Sequence, residues 1–304
     1  MSATPPATWT AGPSTRFRGP SYRAGGRGVT AARVLHSFGH DVLAAGLAGG
    51  TSGELLREDL ARSGVPTAFT MIRGESRRIF RFAGPGSPAG RQAGRILRFA
   101  EPGPYITTEE VGRFAADYRG LLAGAAAVVL CGALPDGLPS ETYGTLVTYA
   151  AEAGVSVILD AGGDELREAV GHGPDLVVAE TSSADPGLGP ALIRLGAGAA
   201  AVATGNLVRA VSAAGEWTAR LTPEAAGELP QPARGALVAG LVPGQLLGWS
   251  WPDRLRHALA LAAGSIDDAW PDEPSAPGRS PVRDNVDLAA YERLLAAVTV
   301  EPPA

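Results

Sequence analysis

The feature that most constrains the fold is a repeated alternation of short apolar segments with helical stretches. The apolar segments span residues 42–47, 126–131, 155–160 and 175–178. Almost continuous apolar strands separated by helices are typical of a parallel sheet whose two faces are both covered. The alternation therefore predicts an α/β fold with three layers, in which a mostly parallel sheet lies between two layers of helices.

Residues 67–100 have a different pattern. In segments 77–82 and 95–99 arginines alternate with apolar side chains, and the residues between these segments are rich in glycine and proline. Alternation of this kind indicates half-exposed antiparallel strands joined by a loop. We therefore predict a small antiparallel sheet that is separate from the main one.

Composition and charge exclude several classes of partner. The net charge of −5 is spread along the chain without a basic patch, so we expect neither nucleic acid nor an anionic membrane surface as a partner. No apolar run is long enough to span a membrane, and residues 1–19 lack the apolar centre of a signal peptide. The single cysteine, Cys131, cannot form an internal disulfide, which favours a reducing compartment. We therefore expect a cytoplasmic protein.

The basic residues and the histidines limit the chemistry of any site. All 26 basic residues are Arg, so a bound phosphate must be held by Arg, His or backbone N–H groups. The four histidines have no Cys or carboxylate partner at the spacing of a metal site. The acidic residues within 267–273 are most simply explained as a solvated loop. The sequence therefore predicts no metal-binding residues.

A glycine-rich segment precedes the first helical pattern of the chain. Gly25, Gly26 and Gly28 surround Arg27, and apolar residues at helical spacing follow. Glycines allow a backbone to approach a ligand, and free N–H groups at the start of a helix attract anions. A tight turn before a helix would explain the same residues. The segment also fits the Gly-x-Gly-x-x-Ala fingerprint of dinucleotide-binding proteins, but no buried strand precedes it, which argues against NAD.

The glycine-rich segment, residues 53–56 and the turn at 131–135 together resemble the signatures of the ribokinase/PfkB family of carbohydrate kinases. The resemblance extends over residues 22–301, including the tail at 287–295. It is greatest for the phosphosugar branch of the family, which contains 1-phosphofructokinase and tagatose-6-phosphate kinase.

This resemblance implies both an architecture and a set of ligands. The expected fold is a ribokinase-like three-layer αβα domain over residues 1–304, with lid strands at approximately 13–24 and 67–100. The expected ligand is a small phosphorylated sugar or another anion. The family also uses ATP and Mg²⁺, and it often forms homodimers through the lid, so we expect a homodimer here.

The family's sugar site can be carried over residue by residue. The matching positions are Gly25, Gly26, Arg27, Gly28, Thr30 and, in the lid motif, Arg77. Arg27 stands where the family commonly has Lys, and Thr30 stands where it commonly has Asn. Ile79 replaces an Asn that usually follows the lid arginine. Because Arg is longer, planar and forked, it is not equivalent to Lys, and we expect sugar-phosphate binding to be altered.

The nucleotide half departs further from the family pattern. The candidate positions for the nucleotide or anion hole are Thr204, Gly205, Arg234 and Gly235. The family carries Gly-Ala-Gly-Asp at the start of a helix, and its Asp is the catalytic base. Residues 232–235 read Pro-Ala-Arg-Gly instead, so Gly235 stands at the base position, and Pro232 removes one N–H group. The family's Lys-Pro-Asn and later Glu are also missing from residues 178–183.

These departures predict that no residue acts as the catalytic base and that ATP and Mg²⁺ bind poorly. Loss of a general base alone typically costs about 10²–10⁴ in rate. We therefore favour a pseudokinase that retains sugar-phosphate or anion binding. Two alternatives stay open: an active kinase with a rewired site, in which Glu180, Asp185 or another acid serves as the base, and an enzyme that uses the pocket for different chemistry.

Overall fold

The computed structural model describes residues 22–83, 96–182, 185–222, 233–264 and 288–301. The helices in these ranges are α1 (Arg27–Ser37), α2 (Gly50–Arg62), α3 (Thr108–Leu122), α4 (Thr142–Glu152), α5 (Gly163–Val170), α6 (Leu188–Leu195), α7 (Ala233–Leu247), α8 (Trp251–Gly264) and α9 (Leu288–Ala297). The strands are β1 (Ala44–Gly49), β2 (Thr67–Ile72), β3 (Ile79–Ala83), β4 (Ile96–Ala100), β5 (Ala127–Cys131), β6 (Ser156–Asp160), β7 (Leu176–Glu180), β8 (Ala199–Thr204), β9 (Leu207–Ser212), β10 (Gly215–Leu221) and β11 (Val298–Glu301).

The main sheet combines a parallel half with an antiparallel half. Within the described residues seven strands lie in the order β11-β10-β9-β8-β7-β6-β5. Strands β5 to β8 run parallel to one another, whereas β9, β10 and β11 continue the sheet in antiparallel pairs. The four apolar segments of the sequence correspond to β1, β5, β6 and β7, so all four predicted strands are present.

Alternate residues of the central strands face opposite layers of helices. Ile158, Leu176 and Val178 pack with side chains of α1, α7 and α8 in one cluster. Leu159 packs with residues of α3, α4 and α5, and Val177 packs with residues of α5 and α6. Because successive side chains of a strand point to opposite faces, both faces of the sheet are covered. This arrangement confirms the predicted three-layer αβα fold.

Among the described residues, two smaller sheets lie outside the main one. Strands β3 and β4 pair in antiparallel fashion, as the alternation of arginine and apolar residues predicted. In this pair Phe80 lies opposite Phe99. Strand β2 falls in the range predicted for the lid, but it pairs in parallel with β1, because α2 connects the two strands as a crossover. The other lid strand was predicted at 13–24, and residues 13–21 lie outside the described residues. The extent of the domain, 1–304, stays a prediction.

None of the described helices combines the length and the apolar character that crossing a membrane requires.

Candidate functional site

Four neighbouring parallel strands end in polar side chains at the same edge of the sheet. Strands β5, β6, β7 and β8 end in Cys131, Asp160, Glu180 and Thr204. The carboxyl ends of parallel strands are where open α/β sheets bind their ligands. Helices α1 and α7 also begin close to this edge: Arg27 in the first turn of α1 and Arg234 in the first turn of α7 both contact the side chain of Asp160. This edge is therefore the candidate site.

Asp160 is held between two arginines that come from different helices. Arg27 Nε lies 3.3 Å from Asp160 Oδ2, and Arg27 Nη1 donates to Oδ1 over 3.4 Å. Arg234 Nη2 pairs with Oδ1 from the other helix. The Asp160 side chain has no exposed surface. Guanidinium groups remain charged in proteins, so this carboxylate is enclosed by fixed positive charge.

Arg234 also binds the end of the neighbouring strand. Its Nη1 pairs with Glu180 Oε2 at 3.0 Å, and its Nη2 donates to the carbonyl oxygen of Val178 over 3.2 Å. The guanidinium group thus bridges the ends of β6 and β7. These contacts join four side chains into one group, the ion cluster, which consists of Arg27, Asp160, Arg234 and Glu180.

Burial and charge act in opposite directions on Asp160. Burial raises the pKa of Asp160 above its usual range, and the guanidinium groups of Arg234 and Arg27 partly offset this effect. Removing one partner of a buried ion pair is strongly destabilising, because it leaves a buried charge uncompensated. The ion cluster therefore also holds the start of α1 and the start of α7 against the sheet.

Gly235 marks a direct contact between the backbones of α1 and α7. A Cβ atom added at Gly235 would lie 2.6 Å from the carbonyl oxygen of Arg27 and 2.7 Å from Cβ of Thr30. Favourable separations between such atoms are about 3.5–4.0 Å. No side chain fits at position 235 unless one of the two helices moves.

Gly26 gives the glycine-rich segment its turn into α1. It has a φ of 113°, which favours glycine, and no side chain caps α1 at this residue. The first N–H groups of α1 are therefore not satisfied by a side-chain cap.

A Cβ atom at Gly28 would lie 3.1 Å from Cys131 Sγ, so the glycine-rich segment passes close to the end of β5. Burial raises the pKa of Cys131 to about 12, which keeps the thiol protonated at neutral pH.

Residues 3–192 match the pfkB family of carbohydrate kinases, which is more than half of the chain. The chain belongs to the pfkB family.

Curated relatives and solved structures are similar to this pfkB-family chain to different extents. Tagatose-6-phosphate kinases from two strains of Staphylococcus epidermidis are 35% identical to it over 148 residues. The matched part is 49% of this chain and 45% of each relative, so the chain spans about half the length of the curated relatives it matches.

Solved structures match nearly the whole length of this chain. A possible 1-phosphofructokinase from Thermotoga maritima has a TM-score of 0.77 at 21% identity, covering 96% of this chain and 93% of that one. Phosphofructokinase-2 from Escherichia coli, in complex with fructose-6-phosphate, has a TM-score of 0.77 at 19% identity, covering 94% and 91%. A tetrameric inhibited form of the same enzyme matches with a TM-score of 0.77 at 19% identity, covering 94% and 92%. These likenesses establish the ribokinase-like fold of the pfkB-family chain.

The fold joins residues that the sequence had assigned to two separate sites. Arg27 and Thr30 were assigned to the sugar site, whereas Arg234 and Gly235 were assigned to the nucleotide site. Arg27 and Arg234 contact the same carboxylate, and Gly235 lies against Arg27 and Thr30. Sequence reasoning missed Asp160, although an apolar strand that ends in an acidic residue at the carboxyl edge of a sheet is a usable signal.

A second pair that the sequence did not indicate anchors the residues before the glycine-rich segment. The N–H group of Ala24 donates to Asp59 Oδ2 over 2.7 Å, and Arg33 Nη1 donates to the carbonyl oxygen of Ala24 over 2.9 Å. Arg33 and Asp59 also pair with each other. These contacts fix the position of the chain just before Gly25.

The remaining predicted nucleotide residues lie at the turn after β8. Thr204 Oγ1 is 3.1 Å from Thr181 Oγ1, which ties the ends of β7 and β8 together. Gly205 has a φ of 56° and begins the turn to β9. Pro232 lies outside the described residues.

The lid region places Arg78, rather than Arg77, in a defined pair. Arg78 Nη2 donates to Glu101 Oε1 over 2.7 Å at the base of β3 and β4, whereas Arg77 is exposed. Arg78 and Glu101 line an open depression of about 590 Å³, together with Glu75 and Tyr105. Glu75 accepts hydrogen bonds from the N–H groups of Ser52 and Thr51 at the start of α2. The Ser52 side chain and these N–H groups lower the pKa of Glu75.

The carboxylates of the site are a poor match to the Mg²⁺ that the family uses. Among the described residues no group of three or more His, Cys, Asp or Glu side chains is arranged to hold a metal ion. Asp160 and Glu180 are already paired with arginine, and Asp185 Oδ1 accepts from the N–H group of Gly187 over 2.8 Å.

Proposed function

We propose that this pfkB-family chain is a pseudokinase that has lost the catalytic base and retains binding of a small phosphorylated sugar or a related anion. The observation that carries the proposal is the packing at Gly235. The position that corresponds to the family's base lies in contact with the backbone of α1, so a carboxylate at this position would require α1 or α7 to move.

The position of Arg234 supports the same proposal. Phosphoryl transfer to a sugar hydroxyl requires an anion-binding helix start for the phosphate and a base for the hydroxyl proton. In this chain Arg234 pairs with Asp160 and Glu180 at the start of α7. On this proposal, the chain's own side chains would occupy the place that the family uses for the phosphates of ATP.

Sugar-phosphate binding is proposed for the opposite side of the site. Gly25, Gly26, Gly28 and Thr30 would supply backbone and hydroxyl groups, and Arg27 would supply a guanidinium fork. Arg77 would approach from the lid. Support comes from the uncapped start of α1 and from the curated relatives, which are tagatose-6-phosphate kinases.

A homodimer through the lid is part of the proposal. Phe80 and Phe99 are opposite each other on β3 and β4, and their exposed fractions are 42% and 52%. Exposed apolar side chains in a contiguous patch often mark an interaction surface. Phosphofructokinase-2 from Escherichia coli, whose fold is similar, has a tetrameric form.

Ligand binding can be measured directly by isothermal titration calorimetry. We expect fructose 1-phosphate or tagatose 6-phosphate to bind to the wild-type protein, and ATP with Mg²⁺ to bind at least about tenfold more weakly, which corresponds to about 1.4 kcal/mol. Tighter binding of ATP with Mg²⁺ than of either sugar phosphate would contradict the proposal and would favour an active kinase with a rewired site.

A further inference from the structure

Strands β1 and β5 are each paired on one side only within the part of the chain that the structure describes. Strand β1 pairs with β2, and β5 pairs with β6, so each strand ends its sheet with one open edge. An open strand edge presents a row of N–H and C=O groups, which proteins normally pair or cover. The two open edges therefore need a structural explanation.

Helix α1 lies over both of these strands. Its residues Ala31 and Val34 pack in one cluster with Val129 of β5. Its residue Ala32 packs in another cluster with Ala44 of β1. A helix with its side chains is about 10–12 Å across, which is about two spacings between neighbouring strands. Because α1 reaches two strands that do not pair with each other, there is room for one strand between them.

Helix α3 covers the same two strands from the opposite face of the sheet. Tyr118 of α3 packs in a cluster with Leu130 of β5. Toward the other strands, α3 contacts β1, and Asp117 Oδ2 accepts a hydrogen bond from Thr70 Oγ1 of β2 over 2.5 Å. Both helix layers are therefore continuous here, and only the sheet between them is interrupted. This interruption, the strand gap, lies between β1 and β5.

The two strands that border the strand gap run in the same direction. Helix α1 begins beside the end of β5, since a Cβ atom at Gly28 would lie 3.1 Å from Cys131 Sγ. It then runs back along the sheet, and β1 follows it in the chain. Strand β1 therefore runs parallel to β5, and a strand between them can run parallel to both.

Burial along β5 shows that solvent reaches the strand gap. Ala127, Val128 and Val129 are half-buried, whereas every residue of β7 before Glu180 is buried. Both strands lie between two helix layers, so the difference arises at the open edge of β5. Neither β1 nor β5 contains a charged residue. An occupant of the strand gap therefore has to be uncharged and apolar on both of its faces.

The residues that precede α1 have a different composition from such an occupant. No two consecutive residues in the range 1–21 are drawn from Ala, Val, Ile, Leu, Met, Phe and Trp. Four prolines, at positions 5, 6, 13 and 20, interrupt the same range. A strand that is buried on both faces is instead a nearly continuous apolar run, and proline is confined to edges and strand ends. This composition favours a segment of another polypeptide as the occupant.

We propose that the strand gap is a docking site for an extended, uncharged apolar segment of a partner protein, which binds as a parallel strand between β1 and β5. Main-chain hydrogen bonds to both open edges provide the affinity. The apolar side chains of the segment pack against α1 on one face and against α3 on the other. This docking site goes beyond the proposed function and does not depend on it, because none of its contacts involves a sugar phosphate or ATP.

Two synthetic peptides test the docking site in the full-length chain. The first has the apolar sequence Val-Val-Ile-Val-Leu, with arginines at both ends for solubility. The second has proline in place of the central isoleucine. In fluorescence anisotropy, we expect the first peptide to bind at least about tenfold more tightly than the second, because proline removes a hydrogen bond in the middle of a central strand.

Two matched variants of the protein test where the peptide binds. Ala45 is exposed on β1, so Ala45→Asp places a charge beside the strand gap without filling the core. This variant should bind the first peptide at least about tenfold more weakly than the wild type, because the charge loses water when the peptide covers it. Ala214→Asp makes the same change at an exposed turn between β9 and β10, and it should stay within about twofold of the wild type.

Hydrogen exchange measured by mass spectrometry locates the bound peptide. Before the peptide is added, the amides of β1 and β5 should exchange faster than those of β6 and β7. The first peptide should slow exchange in both β1 and β5. Exchange in β1 and β5 that is already as slow as in β6 and β7 would show that this chain fills its own strand gap, and the proposal would be wrong. Equal binding of the two peptides, or equal binding by the two variants, would also overturn it.

Discussion

The carbonyl oxygen of Arg27 lies 2.6 Å from the place that a Cβ atom of residue 235 would occupy. Helices α1 and α7 can touch at this point because Gly235 has no side chain. In the proposed function, the same glycine takes the position of the family's catalytic base. Loss of the base and close packing of the two helices would then be one change, because a side chain at position 235 requires one of the helices to move.

Gly235→Ala should destabilise the protein by about 1–3 kcal/mol, because the added methyl group overpacks the contact with Arg27 and Thr30. Gly120→Ala is the matched control, since Gly120 is also helical and has nothing within 4 Å of its Cβ position. The control should be stabilising by about 0.5–1 kcal/mol, as is usual for this change in a helix. Chemical denaturation measures both free energies of unfolding. Equal stability of the two variants would contradict the packing described at Gly235.

His257 should make stability depend on pH in the acid range. Burial, and to a lesser extent the charge of His40, lowers the pKa of His257 from 6.5 to about 4. Its Nδ1 is 2.6 Å from Tyr291 Oη, between α8 and α9. Because the unfolded chain takes up the proton first, the contribution of His257 is complete above pH 6.5 and is lost as the pH falls toward about 4.

The measurement is the free energy of unfolding between pH 7 and pH 4 for the wild type and for His257→Gln. The variant should lose less stability than the wild type over this interval. His172→Gln, at an exposed histidine, should behave as the wild type does. Identical pH profiles for His257→Gln and the wild type would show that His257 has no such role.

The lid should mediate self-association. A double variant, Phe80→Ser with Phe99→Ser, should dissociate at concentrations where the wild type is dimeric, because it removes the exposed apolar pair on β3 and β4. Leu247→Ser is the control, since Leu247 is 68% exposed at the end of α7 and outside the lid. Sedimentation equilibrium gives the dissociation constants. A dimer that persists in the double variant would place the interface elsewhere.

The periodicity of the sequence was sufficient to predict most of the architecture. Apolar runs such as residues 155–160 and 175–178 have to be covered on both faces, so they predicted β6 and β7 and the layers around them. The pairing of β2 with β1 was not predicted, because residues 67–72 were grouped with the lid strands that follow them, and no local pattern indicates which strand β2 pairs with.

The candidate site was predictable only in part. Motif positions identified Arg27, Arg234 and Gly235 one by one, but their meeting around Asp160 depends on how α1 and α7 lie over the sheet. No local pattern carries that information. The close contact at Gly235 is equally invisible in the sequence, where a glycine at a base position indicates only that the base is absent.

Turnover is the most direct test of the pseudokinase proposal. In a coupled assay of ADP release with fructose 1-phosphate or tagatose 6-phosphate, the protein should turn over at less than about a thousandth of a typical enzyme rate of ~10 s⁻¹. Gly235→Asp should not raise this rate, since the new carboxylate meets the backbone of α1 and Arg234 stays at the start of α7. Ordinary turnover by the wild type, or robust sugar phosphorylation by Gly235→Asp, would contradict the account.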